Sequence, residues 1–417
     1  MVSIPLSRVA KAYAPDIERQ AAVLLGLPEA FEGRTTADPV PDMPPLPDAV
    51  VAQRLMAKML QTSPQQTEWH CIKLDHAAMA AADQWDDLLE ALRFADQSRA
   101  SASGGKRLAT LISKGARTAL GTAIARRDWA AADVALARID QVYAAHSEDY
   151  TAAHLAAQAQ LDVAWGKRVI AELGRIPGDL WAESTAHVAR AERILDLFDP
   201  IVEMSPLLAG TRYLLVRGIE DGASQCRDWY EDWCDLDPED ADIHATHAQH
   251  LLPHWFGTLA DFDREATRAA RLTNAQTGQA AYAISYISAA ETLGDLPPGM
   301  DLERFLAGLT DFQTATGCQY RANVAANALG GLAQMFRAGG RAGGRAGGTE
   351  TADALGLVRA ALSDLVCNRL TEVHLSTWED GLTGVTFAMN EVFGRALHGG
   401  ARIVVRGSGL AAQMPAA

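Results

Sequence analysis

Helical periodicity is the feature that most constrains this chain from Asp48 onward. Apolar residues recur at intervals of three and four, and runs of β-branched residues are few. In TAAHLAAQAQLDVAW (151–165), Leu155, Ala159 and Val163 return to one side of a 3.6-residue helix. A half-buried strand would need alternation with a period of two. The pattern therefore predicts an all-α protein.

Helix boundary signals follow one another at short intervals, as expected of helical hairpins. In LDPEDAD (236–242), Asp237 fits the N-cap position and Pro238 the first helical position, where a missing N–H costs nothing. A helix is therefore predicted to begin at Pro238. Thr258 is a second predicted N-cap. The residues PHWFG (253–257) are then predicted to form the turn between two antiparallel helices.

Low-complexity segments suggest how the chain is divided. DPVPDMPPLPD (38–48) disfavours both helix and strand because proline fixes φ and lacks an amide donor. RAGGRAGGRAGG (337–348) contains six glycines, which favour a flexible linker. ARIVVRGSG (401–409) is the only run with strand character. The predicted organisation is an N-terminal extension with a Pro-rich connector, a helical-repeat domain, a Gly/Arg-rich linker and a C-terminal helical segment, at 1–50, 51–336, 337–349 and 350–417.

Charge and cysteine content exclude several functions and partners. The 417 residues carry a formal net charge of −15, which disfavours nucleic acid and anionic membrane surfaces as partners. The five cysteines form no C-x-x-C pair, a pattern typical of reduced thiols, and no apolar window is long enough to span a membrane. We therefore expect a cytoplasmic protein.

One segment carries the pattern of a known repeat. CRDWYEDWCDLDPED (226–240) places a small residue, two aromatics, a leucine and a proline at successive offsets of four, three, three and two, at Cys226, Tyr230, Trp233, Leu236 and Pro238. This segment resembles the second helix and exit turn of a tetratricopeptide repeat. The preceding LLAGTRYLLVRG (207–218) fits less well, because it lacks the usual small residue facing its partner helix.

Two further segments match the repeat in part. DQWDDLLEALRFA (83–95) and RDWAAADVALARI (127–139) each place a Trp three residues before a small or apolar residue and seven before a Leu. The resemblance thus extends over roughly residues 80–275 with irregular spacing. The turn at 251–257 also looks like one found in bacterial helical-repeat proteins of unknown function. The resemblance implies antiparallel helix pairs stacked as an irregular tetratricopeptide-like α-solenoid.

Members of the tetratricopeptide class usually bind peptides or proteins along a concave face made by the first helix of each pair. Carried onto this chain, that register places Asp242, Ala245 and Gln249 on the groove side of the helix after Pro238. Trp229 is the aromatic residue expected to be exposed beside it. The resemblance therefore implies a non-enzymatic scaffold that needs no cofactor, whose acidic groove would favour a basic peptide; it leaves the oligomeric state open.

Four histidines, His244, His247, His250 and His254, lie within eleven positions and allow two interpretations. In the repeat register His244 and His247 occupy core positions and would form hydrogen bonds across the helix pair. Alternatively, His250 and His254 have the spacing of four with which two imidazoles can share a metal ion. That arrangement would make the protein an all-helical metal-dependent hydrolase, although Pro253 disfavours one continuous helix.

Overall fold

The computed structural model describes residues 44–172, 179–342 and 348–415, and most of them are helical. Within these ranges lie 17 α-helices and four short strands. In chain order they are α1 (Asp48–Arg54), β1 (Lys58–Leu60), α2 (Pro64–Ala81), α3 (Trp85–Gln97), α4 (Leu108–Ala116), α5 (Thr118–Ala125), α6 (Trp129–Ala145), α7 (Tyr150–Glu172), α8 (Asp179–Leu195), α9 (Pro206–Leu214), α10 (Gly222–Leu236), α11 (Ala241–His250), α12 (Leu259–Thr277), α13 (Ala280–Leu293), α14 (Leu302–Thr314), α15 (Gln319–Ala342), α16 (Gly348–Arg369), β2 (Glu372–His374), α17 (Leu382–His398), β3 (Arg402–Arg406) and β4 (Gly409–Gln413). The predicted all-α class is confirmed.

The chain divides into two compact units. Gln65–Phe256 forms one, here called the contiguous unit, and the described residues up to Pro64 together with those from Gly257 form the other, the discontinuous unit. The boundaries predicted after residues 50, 336 and 349 do not coincide with this division. Most of the predicted N-terminal extension, residues 1–43, lies outside the described residues.

Helix α7 is the centre of the contiguous unit. It packs against α3, α5, α6, α8 and α9. Six of its alanines, at 152, 153, 156, 157, 159 and 164, are at most 1% exposed. Because an alanine extends only one methyl group from the backbone, neighbouring helices approach closely on several sides. The helix predicted over 151–165 is therefore confirmed and is longer than the pattern suggested.

The two partial repeat segments begin helices of this unit. Trp85 is the first residue of α3 and Trp129 the first residue of α6. The leucines seven positions later, Leu92 and Leu136, are both buried. Apolar spacing thus identified the buried sides of these two helices.

Helix α11 begins three residues later than predicted. Its N-cap is Asp240, which accepts from the Asp242 amide at 3.0 Å, and Pro238 lies in a turn before it. Asp237 does not cap the helix because its carboxylate pairs with Arg107. The second predicted cap is confirmed, since the Thr258 hydroxyl accepts from the amide three residues further on at 3.2 Å. Residues 251–256 form turns, as expected for PHWFG.

The discontinuous unit contains helices α12 to α17 and the strands. β3 pairs antiparallel with β4 across a turn at Gly407, whose φ of 59° suits a tight hairpin. β1 pairs in parallel with β2. The run at 401–409 is therefore not the only one that forms a strand, because its partner at 409–413 follows directly.

The Gly/Arg-rich segment is helical at both of its ends. Helix α15 continues to Ala342 and α16 begins at Gly348, while residues 343–347 lie outside the described residues. Arg337, at the start of the predicted linker, forms an ion pair with Glu391 of α17 at 2.8 Å. This pairing joins α15 to α17. Among the described residues, no helix is both long enough and apolar enough to span a membrane.

Candidate functional site

The contiguous unit contains a cavity of about 450 Å³. Its walls come mainly from α4, α7, α9 and α11, with the ends of α3 and α10 beside them. Ten charged residues line it, five cations and five carboxylates: Arg99, Lys106, Arg107, Lys114, Arg117, Asp96, Asp162, Asp237, Asp240 and Asp242. The volume falls in the range of about 300–1,000 Å³ that is typical of ligand sites.

A buried histidine connects three of these helices beside the cavity. His154 of α7 lies 2.6 Å (Nε2) from Ser113 Oγ of α4 and 2.7 Å (Nδ1) from Thr211 Oγ1 of α9. The Thr211 hydroxyl donates to the Leu207 carbonyl at 3.1 Å, so Nδ1–H donates to Thr211 and Nε2 accepts from Ser113. Burial, followed by the positive charge of Arg117, holds the pKa of His154 well below its usual range. The imidazole is therefore neutral and fixes α4, α7 and α9 relative to one another.

Ion pairs hold three of the cavity cations. Arg117 donates to Asp162 of α7 at 2.8 Å. Arg107 forms a two-pronged pair with Asp237, in which Nε lies 2.7 Å from Oδ2.

The third pair joins Lys106 to Asp242 of α11. A fourth cation, Arg99, donates to backbone carbonyls, including those of Leu236 and Asp96. These contacts leave four of the five cavity cations with acceptors of their own.

Lys114 is the fifth cation and differs from the others. It lies in the second turn of α4 and remains solvent-exposed. Within the described residues, no group accepts a hydrogen bond from its ammonium or forms an ion pair with it. The protein around this side chain removes part of its hydration, and this desolvation, together with the charges of Lys106, Arg117 and Lys73, lowers the pKa of Lys114 against the opposing effect of Asp242.

Asp240 is a buried carboxylate at the start of α11. Burial, with the negative charges of Asp242 and Asp237, raises the pKa of Asp240 to about 7. Its capping bond to the Asp242 amide and the charge of Arg107 act in the opposite direction. Near neutral pH this residue is thus only partly ionised, and it adds less negative charge to the cavity than its residue type suggests.

Three of the four predicted partner-binding residues lie together at the cavity. Asp242, Ala245 and Gln249 line it from α11. Trp229 does not line it: this half-buried residue packs against the core of the unit, with the Arg212 guanidinium 5.2 Å from its ring centroid. The three residues predicted from the repeat register therefore lie together at the cavity. Trp229, which was predicted from its aromatic character alone, lies apart from them.

The clustered histidines of α11 face the two preceding helices. His244, His247 and His250 are at most 4% exposed. The Tyr230 hydroxyl lies 3.0 Å from Nδ1 of His244. The Tyr213 hydroxyl lies 2.7 Å from Nδ1 of His247. His244 and His247 thus form hydrogen bonds to the two helices before α11, α10 and α9 respectively.

Other contacts fix the remaining rings. The Tyr230 ring stacks on His247 with 3.6 Å between centroids, and Arg217 donates through Nε to Nε2 of His250. His254 lies in the turn after α11, beside Trp255. In the part of the chain that the structure describes, no three His, Cys, Asp or Glu side chains converge as metal ligands would.

Sequence reasoning missed the basic side of the cavity. The two glycines of the SGGKR segment (103–107) are typical of a turn, and a short 3₁₀ helix occupies Ser103–Gly105. The residues after it nevertheless reach the cavity. A signal was present, because Thr110, Lys114 and Arg117 recur at intervals of four and three and so share one face of a helix.

Comparison with protein-family models finds no match, and no curated protein or solved structure is significantly similar to the chain.

Proposed function

We propose that this protein is a non-enzymatic scaffold of the tetratricopeptide-like solenoid class that binds a segment of a partner protein in the cavity of the contiguous unit. The observation that carries the proposal is which helices form the walls of the cavity. They come from α4, α7, α9 and α11, and of these α7, α9 and α11 alternate along the chain with α8 and α10, which contribute little or nothing to the cavity.

Helix pairing supports the solenoid part of the proposal. Helices α5 and α6, α7 and α8, and α9 and α10 pack as sequential neighbours. If each is a repeat-like pair, α7 and α9 are the first helices of their pairs, whereas α4 precedes the α5–α6 pair and packs against α3. Repeat proteins of this kind present their first helices on a concave face, where extended segments bind.

The small residue that the repeat resemblance lacked is present at Gly210. A methyl group built at this residue of α9 would lie 2.7 Å from the indole of Trp233 on α10. The close contact of these two helices therefore depends on a residue without a side chain. This strengthens the likeness of α9 and α10 to a tetratricopeptide helix pair.

The composition of the cavity favours binding over catalysis. Its charged groups are held mainly by each other, and its buried histidine is engaged at both ring nitrogens. A general base needs a free lone pair within reach of a substrate proton. We propose a cytoplasmic location because all five cysteines are free thiols.

A selection experiment tests the proposal. Random short peptides displayed with a free amino end or a free carboxyl end are selected on the immobilised full-length chain, and the enriched sequences are synthesised for fluorescence anisotropy. Ala245→Trp places an indole in the cavity and is expected to weaken binding about tenfold or more, which corresponds to about 1.4 kcal/mol.

The matched control adds the same side chain outside the cavity. Val134 of α6 is 73% exposed and is not part of the cavity, so Val134→Trp should leave the affinities unchanged. Circular dichroism establishes that both variants fold. Failure to enrich any peptide, or equal binding by Ala245→Trp and the wild type, would overturn the proposed function.

A further inference from the structure

The cavity holds one positive charge that has no acceptor. Lys106, Arg107 and Arg117 are paired with carboxylates, and Arg99 donates to backbone carbonyls. Only Lys114 has neither a hydrogen bond nor an ion pair within the described residues. An ammonium group has three donors, and because the Lys114 side chain is exposed, these donors are accessible to an acceptor brought by a ligand.

The carboxylates of the cavity offset this charge only in part, through Asp242. Asp162, Asp237 and Asp242 are committed to the three paired cations. Asp96 accepts from the Leu207 amide at 2.9 Å and from two hydroxyl groups, and burial raises its pKa. Burial and neighbouring carboxylates raise the pKa of Asp240 to about 7. The charges that act on Lys114 are therefore mainly positive, those of Lys106, Arg117 and Lys73 against Asp242, although the whole chain carries a formal charge of −15.

We infer that Lys114 is the anchor for a carboxylate of the bound segment, a proposal that rests on the binding function proposed above. A carboxylate supplies the acceptor that the ammonium lacks. It also relieves the repulsion from Lys106, Arg117 and Lys73 that burial accentuates. The acidic groove predicted from the sequence would favour a basic peptide, but its Asp242 is occupied by Lys106, and the available charge is a cation.

A carboxylate fits this position better than a phosphate. Dianionic phosphates are typically held by several arginine forks, and the forks of Arg107 and Arg117 are already used by Asp237 and Asp162. One ammonium with Thr110 beside it on α4 matches a single negative charge. The carboxylate could belong to an Asp or Glu side chain or to the carboxyl terminus of the segment.

The experiment removes the charge from both sides of the contact. Peptides enriched on the full-length chain are synthesised with each acid replaced by its amide, and separately with an amidated carboxyl end. Their affinities are measured by fluorescence anisotropy for the wild type, Lys114→Gln and Lys58→Gln. Lys58 is the matched control, since its side chain is 67% exposed and lies in the discontinuous unit.

One of these peptide changes, either the replacement of an acid by its amide or the amidation of the carboxyl end, should weaken binding to the wild type by roughly 10- to 100-fold. This is the range for a hydrogen bond to a charged group. The same change should have little effect on Lys114→Gln, because the partner charge is already gone. Lys58→Gln should behave as the wild type. Loss on replacing an internal acid identifies a side chain as the source, and loss on amidating the end identifies the terminus.

Chemical protection supplies a second readout. The chain has only six lysines, so mass spectrometry resolves the acetylation of each one. A bound acidic peptide should protect Lys114 and leave Lys58 reactive. The inference is wrong, and the binding function stands, if Ala245→Trp abolishes binding but amidation of the peptide and Lys114→Gln both leave the affinity unchanged. If no peptide binds in the cavity, both are wrong.

Discussion

Buried ionisable residues dominate the start and the interior of α11. Asp240, 6% exposed, caps the helix within reach of two other carboxylates, while His244 and His250 are buried among aromatic rings. Burial opposes the charged form in both cases, so it raises the pKa of the acid and lowers the pKa of each base. The two kinds of residue therefore give opposite dependences of stability on pH.

Replacing Asp240 by Asn should stabilise the protein at high pH. The pKa of Asp240 is about 7 in the folded chain against an ordinary value of 3.8. The folded state therefore binds one more proton than the unfolded state between these values, and stability falls as pH rises from about 4 to about 7. Asn retains the capping oxygen without the charge. Urea unfolding should show the variant more stable above pH 7, and an advantage that does not change with pH would contradict this account.

Acid should destabilise the protein through His244. Burial lowers the pKa of this residue to about 4 from an ordinary 6.5, against the opposing carbonyl of Pro238. The unfolded state therefore takes up a proton first, and stability present above pH 6.5 is lost as pH falls toward about 4, by up to roughly 1.4 kcal/mol per pH unit. His244→Asn, whose amide can replace Nδ1 beside Tyr230, should show a shallower loss in urea unfolding at each pH. An unchanged slope would count against a neutral buried imidazole.

Metal content separates the two interpretations of the histidines. Because His244, His247 and His250 bond to Tyr230, Tyr213 and Arg217, we expect substoichiometric metal after dialysis without chelator. Mass spectrometry of the wild type and a variant with His247 and His250 changed to Ala provides the comparison. Near-stoichiometric zinc or iron that only the variant loses would favour the hydrolase alternative instead.

Periodicity and caps predicted the elements better than their exact ends. The apolar spacing around Trp85 and Trp129 identified buried helix sides, because that information is local. The start of α11 was misplaced because Asp237 is engaged by Arg107, 130 residues earlier in the chain. The cavity could be predicted only on its α11 side, where a repeat register was available. No repeat register extended to Lys114. Its lack of a partner could not be predicted either, because it depends on contacts that other helices make with the cavity carboxylates.

Two glycines test how tightly the elements pack. A methyl group at Gly222, the first residue of α10, would lie 1.8 Å from the Val216 carbonyl oxygen, whereas none of the surrounding atoms is within 4 Å of one at Gly121 in α5. Gly222→Ala should therefore cost about 1–3 kcal/mol or more, because backbone must move. Gly121→Ala should stabilise by about 0.5–1 kcal/mol through helix propensity. Thermal unfolding of both variants compares them, and similar effects of the same sign would contradict the packing described.

At the scale of the molecule, the two units differ in how the chain forms them. The contiguous unit has a core drawn entirely from its own sequence, including the fully buried Leu88, Leu120, Leu155 and Leu161. The discontinuous unit joins distant segments. Its β1 pairs with β2, and Leu46 exchanges two hydrogen bonds of 3.1 Å with Asn390 of α17. Low-complexity sequence could not reveal this division, because the joining contacts are made between residues more than 300 positions apart.

Fragments should therefore behave differently. Residues 65–256 are expected to fold alone, with cooperative thermal unfolding in circular dichroism, because they contain a complete core. Residues 257–417 are expected to be less stable alone than with residues 44–64 joined to them, since those residues supply β1 and the hydrogen bonds to α17. A non-cooperative 65–256 fragment would show that its core is insufficient. Equal stability of the two versions of the second fragment would show that the contacts at Leu46 and β1 contribute nothing measurable to the unit.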